Sequence, residues 1–107
     1  MNAATNHEGS YPTHGTQATR MLASLLVGQR INPLAGWLNL GIYRLSDTAF
    51  QLRGLGWPVV TGKLDVRNRF GEPCRVAEYR LEQEDIDAAG PSASEFIDRE
   101  NELREAA

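Results

Sequence analysis

Residues 32–56 read NPLAGWLNLGIYRLSDTAFQLRGLG, and the punctuation inside this stretch decides how the rest of the chain is organised. Asn32 followed by Pro33 is a helix start. The asparagine side chain can cap the first turn, and a proline at the first helical position lacks only an N–H that would have had no partner there. Gly41 ends this helix, so it spans 33–40, with Leu34, Trp37, Leu38 and Leu40 as its apolar positions. Gly41-Ile42-Tyr43 is a tight connection, and a further helix follows over about 44–55. In it Leu45, Ala49, Leu52 and Gly56 fall on one arc at the helical period and should face a core. Arg44, Asp47, Thr48 and Gln51 are assigned to the opposite, polar arc.

Upstream, Ala18, Met21, Leu22, Leu25 and Leu26 recur at the spacing of an amphipathic helix. It covers about 17–27, with Thr16 or Thr19 as cap and Gly28 as stop. Arg30-Ile31-Asn32 is a short extended link. Downstream, Pro58 bars further helix. Val59-Val60-Thr61 with 64–66, and then 74–81, have strand composition around a turn at 68–72, which reads as a hairpin. Three short helices followed by a two-stranded hairpin make an α+β chain with the order of a winged helix-turn-helix. Residues 16–81 form that domain. Residues 1–15, polar and without periodicity, read as a flexible arm. Residues 82–107 read as an acidic linker and then a C-terminal helix over about 93–105, opened by a capping box of Ser92 and Glu95. Phe96, Ile97 and Leu103 are its only strongly apolar residues, so that helix needs a partner surface or frays.

Net charge is −3, yet its distribution is lopsided. Residues 16–81 hold nine bases against four acids, a net +5, and residues 82–107 hold nine acids against two arginines, a net −7. Eight of the nine bases are arginine, whose fork matches phosphates and guanine edges. A basic body is thus concealed behind an acidic average. No run approaches the ~20 apolar residues of a membrane span, and 1–15 has no secretory pattern. A single cysteine, Cys74, fits a reducing, cytoplasmic setting. There is no phosphate-cradling glycine loop, metal-spaced His/Glu pair or Ser/His/Asp set in the ordered core, and both histidines, His7 and His14, fall in the arm. The chain is expected to be no enzyme, with no cofactor, metal or small-molecule ligand.

If the helix over 44–55 enters a major groove, Arg44, Ser46, Asp47, Thr48 and Gln51 are the residues placed to reach base edges. Arg44 can fork onto guanine, Gln51 can pair with adenine, and Asp47 can accept from cytosine or simply favour the helix dipole. Arg53, Lys63, Arg67, Arg69 and Arg75 are the candidate phosphate contacts, Arg67 and Arg69 flanking the hairpin tip. Trp37, Trp57, Phe50 and Phe70 are expected to pack in the core or on the wing, Phe50 against the hairpin.

The run Gly41-Ile42-Tyr43-Arg44-Leu45, then Leu52-Arg53, Gly56 and Pro58-Val59-Val60-Thr61, then Asn68-Arg69-Phe70-Gly71-Glu72 and Arg75-Val76-Ala77-Glu78-Tyr79-Arg80-Leu81, resembles a winged helix-turn-helix family common in bacteriophages, prophages and their hosts. Its members are often basic between Leu52 and Pro58, where this chain has Gly54-Leu55-Gly56-Trp57. The resemblance implies a winged DNA-binding fold and a regulatory role near phage genes. The expected partner is double-stranded DNA, bound by a transcription regulator or an architectural factor. A homodimer through the C-terminal helix is a further expectation. The alternative is a protein-interaction module, an antirepressor or an inhibitor of a host nucleic-acid enzyme, acting through the wing or the acidic tail.

Overall fold

The computed structural model describes residues 10–106. Three helices, α1 (Gln17–Leu26), α2 (Pro33–Leu40) and α3 (Leu45–Gly54), precede an antiparallel hairpin of β1 (Val60–Arg67) and β2 (Pro73–Arg80). A last helix, α4 (Gln83–Ala106), closes the chain. The start and stop residues act as the sequence predicts. Thr16 caps α1 in a reciprocal box with Thr19, and the Asn32 side chain accepts from the Ala35 N–H at 2.8 Å. Gly41 ends α2 at φ +67°, a left-handed conformation suited to glycine.

Met21, Leu22 and Leu25 of α1, Ile42 of the turn and Leu52 of α3 are almost without exposure and form the centre of the core with Trp57. Arg20 ties α1 to the end of α2, its Nε donating to the Leu40 carbonyl at 2.7 Å. The hairpin is pinned to the body by Ile31, which exchanges two backbone hydrogen bonds with Tyr79, of 2.9 and 2.8 Å.

Three expectations fail, each for a physical reason. The first concerns the arm, of which residues 1–9 lie outside the described residues. Residues 10–15 are docked rather than free. Ser10 donates its N–H to the Leu55 carbonyl and accepts from the Trp57 indole N–H, both at 2.8 Å. Tyr11 packs edge-on against Trp57 and beside Phe96, and its hydroxyl meets that of Ser92 at 2.8 Å. The His14 ring stacks on Phe96, and its Nδ1 lies 3.2 Å from Glu100 Oε1.

The second concerns the acidic linker. Helix begins already at Gln83, and Gly90 (φ +59°, ψ −140°) is non-helical, so α4 is two helical segments that meet at a kink, the second opening at Pro91. Ala93, Phe96 and Glu100 fall on one stripe of the second segment, and they and Ala89 before the kink are buried. α4 lies along α1, which supplies the partner surface that its composition demands.

The third concerns α2, whose Trp37 is expected to pack in the core or on the wing. Leu34, Trp37 and Leu38 are 66%, 55% and 68% exposed, so this helix turns most of its apolar bulk outward. Its inner contact is Gly36, where an added Cβ would sit 3.1 Å from Leu45 Cδ1. Any larger residue there would require Leu45 to give by a few tenths of an ångström.

Candidate nucleic-acid interface

The stripe Leu45, Thr48, Ala49 and Leu52 buries one side of α3, following the helical spacing i, i+3, i+4, i+7. Thr48 is therefore a core residue, 3% exposed, with its hydroxyl directed to the Arg44 carbonyl at 3.5 Å. This overturns its place among the base-reading candidates. The outer side carries Ser46, Asp47, Phe50, Gln51 and Arg53, all exposed. Phe50, 75% exposed, stands near the middle of that outer arc and not on the hairpin. Its spacing from the buried stripe already indicated the outer arc; its apolar character argued the other way.

Arg44 occupies the N-cap position of α3 and makes no side-chain cap hydrogen bond. Its guanidinium instead pairs with Asp47 at 3.0 Å, both side chains largely exposed. An exposed pair of this kind stabilises the fold by little, so both groups remain available to a ligand.

Arg53 links the helix to the wing. Its Nε and Nη2 donate to the Val59 carbonyl at 3.0 and 2.9 Å, and Nη2 also meets the Thr61 hydroxyl. From Thr61 outward β1 alternates, with Lys63, Asp65 and Arg67 exposed and Leu64 and Val66 half-buried. In the register Asp65 lies opposite Arg75, and their side chains pair at 2.9 Å. The exposed face of the hairpin thus presents Lys63, Arg75 and Arg67 in a row that starts where α3 ends. Arg67 also donates to the Gly71 carbonyl at 2.6 Å, and the Arg69 guanidinium lies 5.9 Å from the Phe70 ring centre.

The four aromatics divide. Trp57 is in the core at 1% exposure. Trp37, Phe50 and Phe70 are exposed, against expectation. Trp37 meets the still more exposed Tyr43 edge-on at 6.0 Å. These two line an open groove of about 520 Å³ with Leu34, Val66 and Val76, between α2 and the inner face of the hairpin.

Among the described residues no group of His, Cys, Asp and Glu side chains is placed to hold a metal ion, and no helix is long and apolar enough to cross a membrane.

Three helices, a hairpin hydrogen-bonded to the link after the first of them, and a polar outer face on the third define a winged helix-turn-helix, a DNA-binding module. The sequence profile of the winged helix-turn-helix domain family matches residues 16–84, and the chain belongs to that family. No curated protein and no solved structure gives a significant match.

Proposed function

We propose that this chain is a cytoplasmic, double-stranded DNA-binding regulator or architectural factor of phage or prophage type, with no enzymatic step. α3 lies in the major groove and the hairpin on the flanking backbone. The observation that carries the reading is the continuity at Arg53: the largely polar outer side of α3 runs into a row of Lys63, Arg75 and Arg67 that stays net cationic although Asp65 pairs with Arg75. Arg44 forks onto guanine, Gln51 onto adenine, and Ser46 takes either base. Asp47 accepts from cytosine once Arg44 has left it, and Phe50 packs on a thymine methyl group. Lys63, Arg67, Arg69 and Arg75 hold phosphate. Arg53 keeps the angle between helix and wing, with its remaining N–H groups open to the backbone.

The test is retardation of duplex DNA over a salt series, first with a random pool and then with the sequence it enriches. Affinity should fall steeply with salt, by a slope of about 0.9 per phosphate contact. Arg44→Ala should weaken the enriched site by ~1–3 kcal/mol and relax one base position. Equal loss on enriched and random duplexes would reduce Arg44 to a phosphate contact. Absence of binding at low salt would end the reading.

The groove beside Trp37 favours a second reading, a protein-docking module such as an antirepressor, since apolar patches of this kind mark interaction surfaces. Trp37→Ser separates the two. It leaves DNA affinity unchanged if α3 and the wing's outer face do the binding. The C-terminal helix is a poor seam for a homodimer. Phe96 is buried in its own chain, which leaves the half-buried Ile97 and the partly exposed Leu103.

A further inference from the structure

The tip of the hairpin is a tightly hydrogen-bonded turn that leaves its largest side chain, Phe70, in solvent. The Asn68 side chain accepts from the N–H groups of Phe70 and Glu72, at 2.9 and 3.0 Å, and donates to Glu72 Oε1 at 2.8 Å. The backbones of Asn68 and Glu72 are bonded across the turn at 3.0 Å, and the Gly71 N–H donates to the Asn68 carbonyl at 2.9 Å. Gly71 takes φ +79°, a conformation that side chains disfavour. Arg67 adds its bond to the Gly71 carbonyl. A turn held this thoroughly has a defined shape, and what it holds outward is the ring of Phe70, 79% exposed. Arg69 lies near that ring, and Arg67 is exposed one residue before the turn.

A loop that only had to reverse the chain would be served as well by a polar residue at 70. An apolar ring fixed at the outermost point and flanked by two guanidinium groups fits a ligand that is anionic outside and apolar within. Duplex DNA is such a ligand, with phosphates along the minor-groove rim and stacked bases behind them. We infer that Phe70 is a wedge that enters between two stacked base pairs from the minor groove while Arg67 and Arg69 hold the adjacent phosphates, so that the protein kinks its DNA. This rests on the DNA-binding reading above and adds to it a deformation of the duplex. Unstacking costs least at pyrimidine–purine steps, so a site whose flank carries TA or CA where the wing lands is preferred. Apolar wedges of this chemistry bend DNA by ~20–90°.

The full chain is tested on an enriched duplex of about 30 base pairs, long enough to report a bend, with a donor and an acceptor dye at its ends. Energy transfer is measured at saturating protein. The wild-type chain should shorten the end-to-end distance. Phe70→Leu, still apolar, should keep most of that change. Phe70→Ala should lose most of it, and should lose the preference for a TA over an AA step at the wing position, which we expect to be about tenfold in the wild type. Thermal melting of both variants should match the wild type, since the Phe70 ring supports no core contact. If Phe70→Ala abolishes binding and Phe70→Leu preserves it, the wedge also stands. The inference falls if Phe70→Ala bends DNA as the wild type does, or if both variants lose binding alike. It falls alone, and the DNA-binding reading survives, if the wild-type chain binds without bending. If it binds no duplex at all, both fall together.

Discussion

α2 and α4 each bury the opposite of what their composition suggests. α2 is apolar around most of its circumference, yet it meets the body through Gly36 and Leu40 and leaves Leu34, Trp37 and Leu38 in solvent. α4 is acidic and carries few large apolar residues, yet it buries Ala89, Ala93 and Phe96 and extends the core along α1. Burial thus follows the geometry of approach more than hydrophobic content. Small residues let helix axes come close, and a single large side chain then fills the remaining gap. Stability should accordingly reside in the sequence's acidic end, while the apolar helix should tolerate change.

Removing residues 82–107 sharpens this contrast most. It strips Phe96 and both buried alanines of α4 from the core and uncovers one side of α1, besides removing the ring on which Tyr11 and His14 pack. The truncated chain should lose its cooperative melting transition. If it melts like the full chain, α4 is a solvated extension and the contrast collapses. A tail that merely competes with DNA for the basic face should leave melting untouched and tighten non-specific binding, because the −7 segment would be gone.

Phe96→Ala removes one ring from the same seam and avoids deleting the helix. Phe96 is 5% exposed and touches Tyr11 and His14. Its loss should cost ~3–5 kcal/mol, as for other buried aromatic truncations, read by denaturant midpoint with unchanged slope. A cost below ~1 kcal/mol would mean that the seam closes without the ring, since a residue away from packing usually changes stability by about half of that.

Parts of this division were legible in the sequence and parts were not. The helix boundaries came from residues whose effect is local: Asn32 and Pro33 at the start of α2, Gly41 at its end, Thr16 at the start of α1. Most of the polar face of α3 was legible for the same reason, a period read within one element. Thr48 was misplaced because a threonine can serve either side, and only the spacing from Leu45 and Leu52 puts it inside. The docking of residues 10–15 was not legible, because it depends on Trp57 and Phe96, 47 residues from Ser10 in the first case and 85 from Tyr11 in the second. α4 hid its buried side by building it from two alanines, a phenylalanine and the His14-paired Glu100. The outward set of α2 was illegible because an eight-residue helix with five apolar side chains has no clear inner face.

His14→Ala probes the docked stretch with a smaller expected effect. The substitution removes a ring stacked on Phe96 and leaves the Glu100 carboxylate, 3% exposed, without its imidazole partner. A buried acceptor losing its partner costs ~1–3 kcal/mol. His14→Gln, which keeps an N–H donor near Glu100, should recover part of the loss in the same denaturant series. If both variants melt like the wild type, residues 10–15 lie on the body without stabilising it.

The smallest effect is expected on α2, and it tests the comparison from the other side. Leu38 is 68% exposed, and the ring partner of Trp37, Tyr43, is itself 80% exposed. Leu38→Ser should change stability by no more than ~0.5 kcal/mol, the range of surface substitutions away from packing, although it deletes a leucine from one of the most apolar stretches of the chain. Loss of helix propensity from leucine to serine adds a few tenths of a kcal/mol at most. Gly36→Ala serves as the control on the opposite face of the same helix. Alanine favours helix over glycine, but its methyl would press on Leu45 Cδ1 at 3.1 Å, and Leu45 is 3% exposed with little room to yield. We expect the crowding to outweigh the propensity gain, so that adding one methyl on the inner face destabilises more than removing an isobutyl group from the outer one. If Gly36→Ala is neutral or stabilising, Leu45 has yielded to the methyl; a loss at Leu38→Ser above ~1 kcal/mol would mean instead that Leu38 is covered in solution and that the outward face of α2 has a partner.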